Sequence, residues 1–279
     1  MNNFLHDFII EKHVKSALEE DIGFGDITTD FLAEETDFLS GSLNTRSEGI
    51  LCGCEIFKKV FKVLSNEVQI EFFFKDGDLI KAGDKIASIK GPARYILTGE
   101  RTALNYIQRL SGIATETKKY QQAIGKYSAQ IVDTRKTTPN FRLFEKYAVK
   151  TGGGALHRFN LSDCAMIKDN HIRLAGSITK AVEKLRKNLS HAHKIEVECD
   201  TLEQVQEALN CKADIIMLDN MTLEQMKKAC QIIDKKAIVE ASGNVNLSSV
   251  AEIASTGVDI ISSSAIVAKA PTLDLALDI

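Results

Sequence analysis

The chain has 279 residues, 44% hydrophobic and 26% charged, with 35 Lys+Arg against 38 Asp+Glu and a formal net charge of -3. That balance excludes a broadly basic surface for nucleic acid, and no apolar run reaches the roughly 20 residues that span a bilayer. The size fits one or two domains.

Taken in order, residues 4–20 put Phe8, Ile9, Val14, Ala17 and Leu18 at helical spacing and predict an amphipathic helix. The first ten residues carry Asp7 and no basic segment before their short apolar stretch, so they do not read as a signal peptide. Residues 21–29, with two glycines, end the helix. Strands are expected over 38–46, 49–54, 70–74 and 85–90, with a helix over 55–64. Asp76-Gly77-Asp78 and Ala82-Gly83-Asp84 supply turns. Biotinyl-carrier hairpins share such turns, but no exposed Lys flanked by Met accompanies them here, so only turn chemistry is read. Residues 99–117 form a long helix through the stripe Ala103, Leu104, Ile107, Leu110 and Ile113. Arg101, beside Glu100 at its start, has no function legible from its surroundings.

The 6 cysteines are Cys52, Cys54, Cys164, Cys199, Cys211 and Cys230. The one close pair, Cys52-Gly53-Cys54, lacks the C-x-x-C spacing of zinc and redox sites, so all read as reduced structural residues of a cytoplasmic protein.

From residue 129 the grammar changes. Apolar runs at 130–134, 165–168, 194–198, 215–219, 237–242 and 260–264 are separated, in the later part, by helical patterns over 178–189, 202–209, 223–233 and 247–255. This alternation predicts βαβ units and a parallel sheet. No G-x-G-x-x-G follows a strand and there is no P-loop, so a closed or nearly closed α/β barrel fits better than a dinucleotide-binding fold.

Almost every run ends in a residue able to bind or ionise: Arg135 and Lys136, Lys168, Glu198, Asp219, Ser242, then Ser262 to Ser264. Barrels build their active sites at that end of the strands. Singly, Asp219 and Ser242 suit helix caps and the cations suit solvated loops; as a ring they are poorly explained by capping. Three segments (134–139, 152–158 and 167–171) gather cations beside small residues, where they repel one another unless an anion joins them. Acids in the same mouth point to metal-assisted chemistry on a phosphorylated polyanion. The acids would hold Mg²⁺ or sugar hydroxyls, and the serines and glycines would donate to phosphate.

Several segments carry a family resemblance. They are 21–29, Glu100-Arg101-Thr102-Ala103-Leu104-Asn105, Leu110-Ser111-Gly112-Ile113-Ala114-Thr115, Thr134-Arg135-Lys136-Thr137-Thr138-Pro139, 152–158, 167–172, Glu196-Val197-Glu198, Leu218-Asp219-Asn220-Met221 and Glu240-Ala241-Ser242-Gly243-Asn244-Val245. In this order they resemble the quinolinate phosphoribosyltransferase family. The resemblance implies an α/β protein of type II phosphoribosyltransferase-like fold. An N-terminal α/β sandwich domain would cover 1–107 and an open α/β barrel 108–279, the last residues returning to the N-terminal domain. It also implies a head-to-tail homodimer, with a hexamer left open, in which each barrel mouth is covered by the partner's N-terminal domain. The activity implied joins quinolinate to 5-phosphoribosyl 1-diphosphate with Mg²⁺, releasing diphosphate and CO₂ and giving nicotinate mononucleotide for NAD synthesis.

On that resemblance quinolinate is held by Arg101 (across the dimer), Arg135, Lys136, His157, Arg158 and Lys168. The phosphoribosyl group and its phosphates meet Glu198, Asp219, Ser242, Gly243, Asn244, Ser262, Ser263 and Ser264. Glu198 and Asp219 are the Mg²⁺ candidates, and Lys136, Lys168, Glu198 and Asp219 the catalytic ones. The family's last strand ends Ser-x-Gly-Ala; here Ser264 stands where that glycine would be, so modified phosphate contacts are expected. His171 is read as a structural hydrogen-bonding residue. Three rival readings keep the same pocket: a barrel lyase using Lys168 as a Schiff base, the molybdenum-transport-associated paralogue, and an anion sensor without turnover.

Overall fold

The computed structural model describes residues 4–279. Among these residues no helix is long and apolar enough to cross a membrane. The chain divides into two compact units: one holds residues up to Glu116 with Leu143–Gly152 and Ala270–Ile279, the other Thr117–Arg142 with Gly153–Lys269. The first unit therefore takes in two segments from far along the chain.

The first unit begins with α1 (Asp7–Ile22), whose Ile10, Val14 and Leu18 are buried at a four-residue spacing, and α2 (Thr29–Leu32). Next come β1 (Phe38–Thr45), β2 (Gly49–Ile50), α3 (Cys54–Leu64), β3 (Gln69–Phe72), β4 (Leu79–Ile80) and β5 (Lys85–Pro92). The strand expected over 49–54 stops at Ile50. Gly53 turns the chain at φ 109°, and Asp76 Oδ1 accepts from the N–H groups of Gly53 and Cys54 at 3.0 Å each, which satisfies the free N-terminus of α3. Phe57 and Phe61 of α3 lie 5.2 Å apart and Phe57 meets Phe72 at 5.7 Å, forming a buried aromatic cluster. The helix expected over 99–117 is longer at both ends, α4 spanning Ala93–Ile124.

The second unit is a run of strand–helix repeats. It contains β6 (Gln130–Val132), then, after α5 (Arg142–Thr151), β7 (Ala165–Ile167), α6 (Asp169–Ala175), α7 (Ile178–Asn188), β8 (Ile195–Cys199), α8 (Leu202–Asn210), β9 (Ile215–Asp219), α9 (Leu223–Ile233), β10 (Ile238–Ser242), α10 (Val250–Ala254), β11 (Ile260–Ser262) and α11 (Ala265–Ala268). All but the first residue of α5 belong to the first unit. The six strands pair in parallel in the order β6-β11-β10-β9-β8-β7, with β6 and β7 at the two ends, the topology of an open barrel. Ser177, Thr201 and Thr222 cap α7, α8 and α9 by accepting the third N–H of each helix, fixing where each of these helices begins. The chain ends in β12 (Leu275–Asp278), which extends the first unit's antiparallel sheet to β12-β1-β5-β3, Thr45 lying opposite Leu275.

Candidate active site

In a strand, residues two apart share a face. Met166 and Lys168, Glu196 and Glu198, Met217 and Asp219, and Glu240 and Ser242 are four such pairs. The ladder sets Met166 against Glu196, Met217 against both Glu198 and Glu240, and Asp219 against Ser242. One face of the sheet thus carries a floor, and above it a rim at the C-terminal strand ends.

The rim encloses a cleft of ≈ 780 Å³. Arg135, Lys136, His157, Arg158, Lys168, Glu198, Asp219, Ser242, Gly243, Asn244, Ser262, Ser263 and Ser264 all line it. Thr134, Met166, Met217, Asn220, Val245, Ala265 and Lys269 complete the wall; Thr134, Asn220 and Val245 fall in the family segments, but none of the seven was assigned a role from the sequence. Arg101 is not part of this wall; it lies exposed on α4 in the other unit. A wider depression of ≈ 1290 Å³ lies at the N-terminal strand ends, among Gln130, Lys194, Asp214 and Ile260. It too is lined by cations and by Asp214 and Asp259, but Arg186 is already paired with Asp214 at 2.8 Å, Ser128 is its one hydroxyl residue among those described, and barrels work at the other end.

Lys168, just past β7, puts its ammonium against Glu198 Oε2 at the end of β8. His171 does not enter the cleft. Its Nδ1 accepts from the Lys168 backbone N–H at 3.0 Å, so it pins the start of α6 and with it the Lys168 backbone. Arg135 and Lys136 are exposed on the loop after β6, and among the described residues neither head group meets a carboxylate. Arg142 ties that loop down: its Nε donates to Thr137 Oγ1 at 2.9 Å and its Nη1 to Phe159 O at 3.0 Å, linking the first cationic segment to the residue that follows the second. Arg158 donates from Nη1 to Cys164 O at 2.7 Å, and Nη2 lies 3.4 Å from Met166 Sδ.

On the opposite rim Asp219 accepts from Asn220 Nδ2 at 2.7 Å, and Asn220 Oδ1 accepts from Asn244 Nδ2 at 3.2 Å. Asn220 and Asn244 both adopt positive φ, as does Gly243 at 94°. A Cβ on Gly243 would stand 2.2 Å from Asn220 Oδ1, so only glycine lets the two loops approach this closely.

The floor joins His157 to two carboxylates that have no role in the sequence reading. Glu196 and Glu240 are buried and lie beside the half-buried His157. His157 Nε2 stands 3.6 Å from Glu196 Oε2 and 3.4 Å from Glu240 Oε1. Burial disfavours a charged ring, while contact with the two glutamates pulls the other way and raises the imidazole, favouring a proton on Nε2, the nitrogen that faces them. Burial likewise raises Glu196. The three residues have the spacing of a metal site. Their bonding does not fit one: a metal on Nε2 would leave the ring proton on Nδ1, and Nδ1 already accepts the Arg158 N–H at 2.7 Å.

Two family models match the chain: quinolinate phosphoribosyl transferase, N-terminal domain, over residues 26–111, and the C-terminal domain of the same family over residues 113–278. The chain belongs to the quinolinate phosphoribosyl transferase family. It is 44% identical over 274 residues to a protein of Synechocystis named probable nicotinate-nucleotide pyrophosphorylase (carboxylating), covering 97% of this chain and 92% of that one. A Bacillus subtilis protein of the same name is 42% identical, with 93% and 90% covered. The crystal structure of NadC from Streptococcus pyogenes superposes with a TM-score of 0.96 at 40% identity, covering 100% of this chain and 98% of that one. The nicotinate-nucleotide pyrophosphorylase of Francisella tularensis gives 0.94 at 43% identity, with 99% and 98% covered.

Ser264 sits at φ -74° and ψ -18°, ordinary helical dihedrals that any L residue adopts without strain. The Ser264 hydroxyl therefore stands on the cleft wall with no strain in its backbone.

Proposed function

We propose that this quinolinate phosphoribosyl transferase family member transfers the phosphoribosyl group of 5-phosphoribosyl 1-diphosphate to the ring nitrogen of quinolinate, releasing diphosphate and CO₂ and leaving nicotinate mononucleotide. The observation that carries this reading is the set of cations, Arg135 and Lys136 without carboxylate partners among the described residues and Arg158 and Lys168 beside them, facing a rim of acids and hydroxyls. A dianionic ring is neutralised on one side while a phosphorylated sugar is held on the other. The names borne by the relatives favour this over the molybdenum-transport paralogue and the Schiff-base lyase.

As diphosphate leaves C1 of the ribose, positive charge develops on the sugar, and Glu198 and Asp219 stabilise it electrostatically from the rim. Lys168, in contact with Glu198, orients that carboxylate and offers its remaining N–H groups to the substrate. Glycosylation leaves the pyridine nitrogen positively charged. The electron pair of the breaking bond to the 2-carboxylate flows toward it, CO₂ departs, and C2 takes up a proton. No covalent bond to Lys168 is needed.

The donor set also fits Mg²⁺, a hard cation that binds through one or two carboxylates plus substrate phosphates. Glu198 and Asp219 would hold it, and it would neutralise charge on the departing diphosphate. Ser242, Gly243, Asn244 and Ser262 to Ser264 form the phosphate side.

The same reading includes a homodimer in which Arg101 serves the partner's cleft. Phe24, Ile27, Phe31 and Leu32, consecutive large apolar residues at or near the family segment 21–29, are all exposed, more apolar surface than a monomer usually leaves in water. A cytoplasmic setting agrees with the six free cysteines. Incubation with quinolinate, 5-phosphoribosyl 1-diphosphate and Mg²⁺ tests the proposal: CO₂, diphosphate and nicotinate mononucleotide are expected in equal amounts. Absence of any one of them refutes it.

A further inference from the structure

The floor beneath the cleft carries three buried or half-buried ionisable groups that the reaction above does not use. Glu196 on β8 and Glu240 on β10 come from strands separated by β9, yet both converge on one nitrogen, His157 Nε2. Glu196 Oε1, Glu196 Oε2 and Glu240 Oε1 have no hydrogen-bond partner of normal geometry, and the two side chains are only 0% and 2% exposed. Such carboxylates cost stability, and apolar side chains of similar volume would fill the space at less cost. Their service must lie in what they hold.

What they hold leads to the substrate wall. His157 is anchored on three sides: its backbone N–H donates to Asp133 Oδ1 at 2.9 Å, its Nε2 edge faces the two glutamates, and its Nδ1 accepts the Arg158 N–H at 2.7 Å. That last bond needs a lone pair on Nδ1, so while it holds the ring carries a single proton, on Nε2, the edge turned to the carboxylates that favour a proton there. Turned the other way, the ring would set two N–H groups against each other and leave both carboxylates facing a lone pair. Both ring nitrogens therefore face groups of the protein itself, which makes His157 a brace for Arg158.

We infer that Glu196 and Glu240 are positioning residues for the quinolinate side of the cleft: together they hold the Nε2–H edge of His157 and, through its bond to the Arg158 N–H, set the turn that presents Arg158 to the dianion. The inference rests on the quinolinate reading above. It deepens that reading by assigning the orientation of one wall to a buried pair beneath it. The contacts at 3.4 and 3.6 Å are longer than good hydrogen bonds, so the hold is electrostatic and directional.

Two experiments test it. In steady-state kinetics on the full chain, Glu240→Leu should raise the quinolinate KM at least about tenfold while the KM for 5-phosphoribosyl 1-diphosphate stays within about twofold. Glu240→Gln, which keeps an oxygen facing Nε2–H, should stay within about threefold of the parent on both. Both KM values rising together, or Gln failing as badly as Leu, would overturn the inference. The second experiment needs no variant and no substrate: ¹⁵N NMR of the His157 ring in the intact protein. A proton on Nε2 and a bare Nδ1 across neutral pH are expected, and a ring protonated on Nδ1, with or without a proton on Nε2, would overturn the inference even if Glu240→Leu does not fold. If the unaltered protein does not convert quinolinate at all, the functional reading fails instead, and the ring proton reports on the geometry separately.

Discussion

Gly243→Ala should damage the phosphate rim by an amount that can be worked from the backbone. Gly243 sits at φ 94°, a region where a non-glycine residue costs about 1–3 kcal/mol. The new methyl would also lie 2.2 Å from Asn220 Oδ1 and 2.8 Å from the Asn220 backbone nitrogen. The side chain can swing away, but doing so gives up its bond from Asn244 Nδ2, a loss of about 0.5–1.5 kcal/mol. The backbone nitrogen cannot move without straining its own bond to Ser242 O at 3.0 Å. The expected total is about 2–4 kcal/mol, divided between lost stability and a raised KM for 5-phosphoribosyl 1-diphosphate. Gly83→Ala is the control. It has nearly the same φ, 92°, and nothing within 4 Å of a Cβ, so it carries strain without collision. Urea unfolding and KM measured on both variants separate the two effects. A Gly243→Ala protein no worse than Gly83→Ala in stability and in KM would refute the reasoning.

Lys168→Ala and Glu198→Ala should each lose about 100-fold or more in kcat with a melting temperature near the parent's, since both side chains stand at strand ends. A variant that unfolds while its folded fraction keeps normal activity would mark the residue as structural. Arg101→Ala and Lys168→Ala, each inactive alone, should complement when subunits are mixed, because one of the two sites in a mixed dimer receives neither defect. No recovered activity after verified subunit exchange would remove Arg101 from the partner's site. Burial raises all six thiols, Cys164 and Cys230 to about 11. Thiolate is present only as pH approaches those raised values, so iodoacetamide at pH 8 should label the native protein slowly and the unfolded protein at all six sites; fast native labelling would contradict the burial.

The barrel half was legible because its pattern is local. An apolar run ending in a charge or hydroxyl names both a strand and the end at which it works, and β6 through β11 each begin and end within a few residues of those runs. The rim residues followed from the same pattern. The floor did not, because Glu196 and Glu240 sit inside apolar strands 44 positions apart and meet His157 only once the ladder register is set. The period-2 rule still held a clue: Glu196 shares a face with Glu198, and Glu240 with Ser242. Helix α5 was missed because buried Glu145 and Lys146 interrupt its apolar stripe; Glu145 accepts from Arg109 Nη2 at 3.0 Å, a partner far off in sequence. The strand over 49–54 was overdrawn because Gly53 adopts a left-handed backbone that apolar neighbours do not advertise.

The central claim is that this cleft is matched to a dianion, and competing quinolinate against nicotinate tests it most directly. Nicotinate lacks the 2-carboxylate and would leave part of the group formed by Arg135, Lys136 and Arg158 unpaired, a penalty of roughly 2–5 kcal/mol by comparison with truncated ion pairs. At about 1.4 kcal/mol per decade, kcat/KM should favour quinolinate by about 30-fold at the least. Comparable turnover of the two acids would contradict the account.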